Sequence, residues 1–169
     1  MIILDFSKAF DRVPHQILLK KAHHYGSRGR TLQWLSSFLN GRNQRVLVQG
    51  QSSEEAPVVS GVPQGSVLGP LLFLIFINDL PEGLLSKTRL FADDCILYRQ
   101  IKSIQDQQLL QADLDSLAKW VHLWDKDLHP QKCSLLRVAR AKSPLRTNYI
   151  LKGITLAEEQ TSKYLGVDL

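Results

Sequence analysis

Long apolar runs are missing from this chain. The longest, Leu71 to Ile77, spans seven residues, far short of the roughly 20 that a membrane-crossing helix needs. Cysteine is scarce: Cys95 and Cys133 are the two in 169 residues. That excludes a disulfide scaffold, suits a reducing compartment with both thiols as small buried hydrophobes, and leaves no Cys/His zinc spacing. The five histidines show no ligand spacing either. Met1-Ile2-Ile3-Leu4 meets Asp5 without a basic stretch, so no signal-peptide pattern opens the sequence. An intracellular protein, cytoplasmic or nuclear and without a membrane partner, is expected. Repeats, low-complexity stretches and linkers are absent, which leads to one domain over residues 1–169.

What is present reads as globular: 44% apolar and 22% charged residues. The net charge of +5 is unevenly spread. Residues 1–50 hold eight Lys/Arg against two acids (+6), residues 51–130 six against eleven (−5), and residues 131–169 seven against three (+4). Two basic stretches around an acidic middle suit a surface for a phosphate backbone beside an acidic centre.

Hydrophobic period and punctuation predict the elements. A strand over 1–6 leads to a helix opened by Pro14 that runs through Ile17, Leu18 and Leu19 and stops near Gly26. A helix over about 29–40 is expected to bury Leu32, Trp34, Leu35, Phe38 and Leu39. Gln44 to Val48 and Ala56 to Ser60 read as hairpin partners around a turn at Gly50-Gln51-Ser52-Ser53. Ser66 is placed to cap a helix to about Asn78, apolar nearly all round and so expected to be buried. A hairpin spans 88–99. Ser103 with Asp106 forms a capping box. Leu110, Leu114, Leu117, Val121, Trp124 and Leu128 then make one helical stripe facing the sheet. Leu135 to Val138, Tyr149 to Leu151 and Lys163 to Val167 read as strands. Trp34, Trp120 and Trp124 are expected in the core or an interface. The order implies an α+β fold with helices on one face of a sheet.

Within that order the acids stand out. Asp93 and Asp94 interrupt Leu90-Phe91-Ala92 and Cys95-Ile96-Leu97-Tyr98, where a surface turn would use Gly, Asn or Pro. Two like charges at a hairpin tip repel unless a cation lies between them, and hard cations such as Mg²⁺ choose carboxylate oxygens. Met1-Ile2-Ile3-Leu4 likewise ends in an acid, Asp5. If the two strands are neighbours, three carboxylates converge, as in sites that hold two ions about 3.5–4 Å apart for phosphoryl transfer. Asp11, six residues on, is expected to cap the next helix instead.

Three segments, Asp5-Phe6-Ser7-Lys8-Ala9-Phe10-Asp11, Ser60-Gly61-Val62-Pro63-Gln64-Gly65-Ser66 and Phe91-Ala92-Asp93-Asp94, resemble the palm motifs of reverse transcriptases. The likeness is greatest to the polymerases of non-LTR (LINE-type) retrotransposons. It runs to about Leu169, with Lys132 and Tyr164-Leu165-Gly166 extending it. The resemblance implies a polymerase palm, an antiparallel sheet with helices packed on one face. It implies RNA-directed DNA polymerase chemistry on an RNA or DNA template with a DNA primer and dNTPs, using Mg²⁺ or, as a substitute, Mn²⁺. Asp5, Asp93 and Asp94, with the Phe6 carbonyl, would hold the ions. Phe10 would lie under the nucleotide sugar, Gln64 and Gly65 against the nascent base pair and template, and Lys132 near the leaving pyrophosphate. Tyr164, Leu165 and Gly166 would form the primer grip. The family's fingers, thumb and endonuclease portions find no counterpart in these residues, so an incomplete palm fragment is expected. The alternative is a catalytically silent retroelement remnant that at most binds nucleic acid.

Overall fold

The computed structural model describes residues 1–124, 127–139 and 145–161, and the backbone of 163, 164, 167 and 168. The elements begin with β1 (Ile2–Leu4), α1 (His15–His24) and α2 (Gly29–Leu39). Four two-residue strands follow: β2 (Asn43–Gln44), β3 (Leu47–Val48), β4 (Gln51–Ser52) and β5 (Ala56–Pro57). Then come α3 (Leu68–Ile77), β6 (Lys87–Phe91), β7 (Asp94–Tyr98) and α4 (Ile104–Leu123). The last strands are β8 (Ser134–Leu136), β9 (Ile150–Leu151), β10 (Ile154–Thr155), β11 (Ala157–Glu159), β12 (Lys163–Tyr164) and β13 (Val167–Asp168). The fold is α+β, in two compact units: residues 8–78, and residues 1–7 with 79–169. Among the described residues no helix is long and apolar enough to cross a membrane.

The larger unit is built on a five-stranded sheet in the order β11-β8-β1-β7-β6. β1 lies antiparallel between β7 and β8, and β6 pairs antiparallel with β7. The sheet is nevertheless mixed and not wholly antiparallel, because β11 runs parallel to β8. A parallel neighbour needs a long return, and the segment carrying the β9–β10 hairpin supplies it. Ile2 and Leu4 of β1 share a face with Leu97 and Cys95 of β7, and all four are buried. Burial, and then Cys133, push the Cys95 thiol up to about 12, so it stays protonated and serves as packing. On α4 the stripe Leu110, Leu114, Leu117 and Val121 is buried as the spacing predicts. It stops there: Trp124 is the C-cap, and Leu128 lies beyond the helix, buried opposite Phe6.

Polar side chains fasten α4. The Ser103–Asp106 capping box forms, and Arg99 pairs with Asp106 at 3.2 Å. Buried Asp113 accepts from the Leu85 and Ser86 amides at 3.1 and 2.6 Å, pinning the approach to β6. The Gln111 amide donates to the Ile150 carbonyl and accepts from its N–H, at 2.8 and 2.9 Å, so β9 is laced to the helix.

The smaller unit packs α1 with α2 and α3. Lys21 of α1 is buried, and its Nζ donates to the Phe76 carbonyl at 2.7 Å and lies 4.8 Å from the Phe76 ring centre. It thereby satisfies a carbonyl in the last turn of α3. On α2 only Leu35 and Leu39 are fully buried. Trp34 is 55% exposed and stacks on Phe38 one helical turn away, because both sit about 100° around the helix from the buried pair. The expected hairpin exists in pieces: β2 with β5, and β3 with β4. Its turn is Gln49-Gly50, both at positive φ, the pattern of a type I′ hairpin. Pro57, lacking an N–H, limits the outer ladder. The helix α3 departs from its expectation too. Leu72, Phe73, Phe76 and Ile77 are buried, but Val67, Leu71 and Leu74 step along an exposed side. Ser66 acts one residue before the N-cap, accepting from the Gly69 amide at 3.0 Å.

Candidate active site

The register of the central strands decides where the acids go. Leu4 is paired with Cys95, so the next residue on each chain brings Asp5 to the same sheet end as Asp94. The β6–β7 connection is a two-residue turn, Ala92-Asp93, closed by the Phe91–Asp94 pair. Ala92 sits at φ +52°, a left-handed conformation that favours glycine at the first place of a type II′ turn. An alanine there is strained, and the five-pair ladder behind it holds the turn in place.

Asp5 is half-buried, while Asp93 and Asp94 are exposed. The Asp94 carboxyl is raised above its ordinary value, first by the partial burial of an otherwise exposed residue and then by the negative charges of Asp93 and Asp5. Asp94 therefore feels the charges of both other acids. The backbone of Asp5 is fixed from the β8 side. Its N–H donates to Cys133 Sγ at 3.4 Å and its carbonyl accepts from His129 N–H at 3.1 Å. Ser7 N–H donates to the Asp127 carbonyl at 2.9 Å. Phe6 and Leu128 are thus a non-hydrogen-bonded pair. In such a pair the residue's own N–H and C=O turn away from the partner strand, which sets the Phe6 carbonyl toward the β7 side.

An all-carboxylate donor set suits a hard cation such as Mg²⁺ or Mn²⁺, and a cation would relieve the like charges that act on Asp94. Among the described residues, however, no three His, Cys, Asp or Glu side chains stand in a ligating group. Lys132 closes the short 3₁₀ turn Pro130–Lys132 and is exposed. Its segment is tied to Asp5 through His129 and Cys133. Tyr164 lies in β12, paired with Val167; Leu165 and Gly166 lie outside the described residues.

The remaining candidates belong to the smaller unit. The loop Ser60–Gln64 is clamped onto the turn Phe10–His15. Ser60 Oγ donates to the Asp11 carbonyl at 2.9 Å, Gly61 N–H to Val13 O at 2.8 Å, and Val62 N–H to Phe10 O at 2.9 Å. Buried His15 meets the Gly61 carbonyl through Nε2 at 2.8 Å, so that nitrogen carries the hydrogen. Gly61 is at φ +91°, and a Cβ there would come within 2.7 Å of the Asp11 carbonyl oxygen. Gly65, at φ +78°, has open space around it. Phe10 is half-buried, its ring stacked on Phe73 at 4.5 Å. Lys8, Arg42, Pro57 and Gln64 line a cleft of about 510 Å³.

Asp11 does not cap α1. The N-cap is Pro14, with no side-chain cap bond, and Asp11 Oδ1 accepts from Gln64 Nε2 at 2.7 Å. Sequence reasoning missed this pair, whose members lie 53 residues apart; two polar residues at turn positions carry no signal of each other.

The model of the family described as "Reverse transcriptase (RNA-dependent DNA polymerase)" matches residues 1–169. The chain is 35% identical to the RNA-directed DNA polymerase from mobile element jockey of Drosophila melanogaster, over 98% of this chain and 19% of that protein. It is 34% identical to the probable RNA-directed DNA polymerase from transposon BS of the same fly, over 99% of this chain and 20% of that protein. The figures for the probable RNA-directed DNA polymerase from transposon X-element, also of that fly, are 32%, 98% and 19%. The chain spans about a fifth of the length of these curated relatives.

Proposed function

The chain belongs to the reverse transcriptase (RNA-dependent DNA polymerase) family, and from that premise we propose that residues 1–169 form the palm of a non-LTR retrotransposon RNA-directed DNA polymerase. Asp5, Asp93 and Asp94, with the Phe6 carbonyl, are the residues that would hold two Mg²⁺ ions, or Mn²⁺ in their place. The observation that carries the reading is that strand pairing sets Asp5, Asp93 and Asp94 at one end of a sheet, where Asp94 feels the charges of the other two. When bound, such ions activate a primer 3′-hydroxyl and neutralise charge on the transferred phosphoryl group.

The protein's own part is positioning. The ladder on either side of β1 fixes the Asp5 backbone, and the tight Ala92-Asp93 turn fixes the other two acids. Phe10 would lie under the sugar of the incoming dNTP, where a bulky ring disfavours a 2′-hydroxyl. Gln64 and Gly65 would meet the nascent pair and the template. Lys132 would meet the charge of the departing pyrophosphate. Tyr164, Leu165 and Gly166 would hold the primer end. Template, primer and dNTPs are the partners, and other portions of a longer polymerase would supply fingers, thumb and endonuclease.

Extension of oligo(dT) on poly(rA) with Mg²⁺ or Mn²⁺ tests the reading, both with the purified chain and with the chain carried between fingers and thumb. The 169-residue chain alone is expected to bind nucleic acid weakly, less so as salt rises, and to extend poorly. With fingers and thumb present, extension is expected. Binding without extension there, with either ion, would favour the silent remnant and overturn the proposal.

A further inference from the structure

We infer that Asp11 is a positioning residue, whose carboxylate fixes the Gln64 side-chain amide so that its oxygen is the group left to face a nucleotide or template base. The inference rests on the reading of Gln64 as a nucleotide- or template-binding residue. An ionised carboxylate only accepts hydrogen bonds, whereas an amide has a donor end and an acceptor end. With Asp11 Oδ1 at 2.7 Å from Nε2, the flipped amide would set two acceptors against each other. The nitrogen end is therefore committed to Asp11, and Oε1 lies at the other end, toward donors on a ligand such as an exocyclic amino group or a sugar hydroxyl.

Three further features make this a built arrangement rather than a chance surface contact. The carboxylate is not spent on the start of α1, whose N-cap has no side-chain bond. The Asp11 backbone is fixed by the loop that carries Gln64: Ser60 Oγ donates to its carbonyl, and Gly61 packs so close that no Cβ fits. Both side chains line the same cleft as Lys8 and Arg42, whose positive charge suits a phosphorylated ligand. Asp11 thus acts through Gln64 and touches no reacting atom.

Two measurements test it. In the 169-residue chain, nitrogen-15 NMR follows the Gln64 side-chain amide. One amide hydrogen is expected downfield and protected from exchange; the effect disappears in Asp11→Ala and persists in Asp11→Glu. A Gln64 amide that behaves as free in the unaltered chain would overturn the inference. In primer extension with fingers and thumb present, Asp11→Ala is expected to raise KM for dNTP by roughly three- to tenfold with kcat and Tm unchanged, the signature of lost binding. Asp11→Glu should recover much of it, and in a Gln64→Ala background Asp11→Ala should add nothing. Gln64→Glu should fail beside Asp11 and recover when paired with Asp11→Asn, which returns a donor to face the acid. An Asp11→Ala effect that adds fully to Gln64→Ala, or that shows as lower Tm with KM unmoved, overturns the inference and leaves the polymerase reading standing. An unaltered enzyme that does not extend brings down that reading and the functional half of this one, while the NMR arm still reports whether Asp11 holds Gln64.

Discussion

At the acidic end of the five-stranded sheet, the Asp5 backbone is satisfied while the Asp94 side chain faces two like charges. Asp5 has its N–H and carbonyl engaged by Cys133 and His129, yet its carboxylate adds to the repulsion felt by Asp94. The turn beside it holds an alanine where glycine would be relaxed. At the Ser60–Gln64 loop of the smaller unit the balance is reversed. Backbone groups and several side-chain groups close on partners within the unit, from the His15 ring to the nitrogen end of the Gln64 amide. Repulsion and strain cost stability, so a fold keeps them where an outside charge relieves them. Internal saturation marks a place where shape itself is the product. The contrast separates an acid whose charge is opposed by its neighbours from a loop whose own bonds set how Gln64 is presented.

The most direct way to break the contrast is to remove one of the unsatisfied acids. In a polymerase with fingers and thumb, Asp93→Asn is expected to cut extension on the order of a thousandfold or more, since a lost metal ligand forfeits several kcal/mol of transition-state stabilisation. Template binding, measured by fluorescence anisotropy, should hardly change. Near-normal extension by Asp93→Asn would place the acids among ordinary surface turns.

The scaffold has its own test in a pair of glycines. Gly61 combines positive φ with backbone atoms 2.7–3.0 Å from a would-be Cβ, whereas Gly65 has the positive φ alone. Gly61→Ala should cost about 3 kcal/mol by thermal denaturation, conformational strain and a backbone clash together. Gly65→Ala should cost about 1 kcal/mol. Equal losses would mean that the clamp onto Asp11 contributes nothing.

These two regions also mark how far the sequence can be read. The placement of Asp5, Asp93 and Asp94 at one sheet end is legible because the acids border apolar runs, and strand pairing brings run ends together. The α4 stripe and the Ser103–Asp106 box are legible because both are local patterns within one helix. What escapes is tertiary. The Lys21–Phe76 and Asp11–Gln64 bonds join residues far apart in the chain. The parallel placement of β11 depends on the path of the return, not on β-propensity. Trp34 looks apolar enough for the core, yet only the helix face that meets its neighbours is buried, and that face is Leu35 and Leu39. The separation of the carboxylate oxygens, on which metal binding turns, has no counterpart in a residue string.

A gentler perturbation sharpens the comparison without any chemistry. In metal-free chain, Asp94→Asn should raise stability by a few tenths of a kcal/mol, because it removes one of three repelling charges at a largely solvated site. Millimolar Mg²⁺ or Mn²⁺ should then raise the Tm of the unaltered chain and leave Asp94→Asn little moved, by simple linkage of ion binding to folding. A variant less stable than the parent in metal-free buffer would show that Asp94 is held by an attraction and not by the cost of holding three acids together.

The smallest effect uses a carboxylate in the same unit that is as satisfied as Asp94 is not. Asp106 is held below the ordinary carboxylate range, chiefly by the Lys102 backbone N–H, then by the Ser103 hydroxyl and Arg99. A depressed acid binds its proton less readily folded than unfolded. Its contribution is therefore complete above the unfolded value of 3.8 and fades as pH falls through the lower folded one. Between neutral pH and pH 5 the Asp106→Asn variant should show a stability offset from the unaltered chain that is flat with pH. Below pH 4 that offset should shrink, because the unaltered protein is losing the charge the variant never had. Urea midpoints across this range read it directly. An offset that persists unchanged into strong acid would show that the bonds at the start of α4 owe nothing to charge, and the contrast between a satisfied and an unsatisfied carboxylate would lose its physical basis.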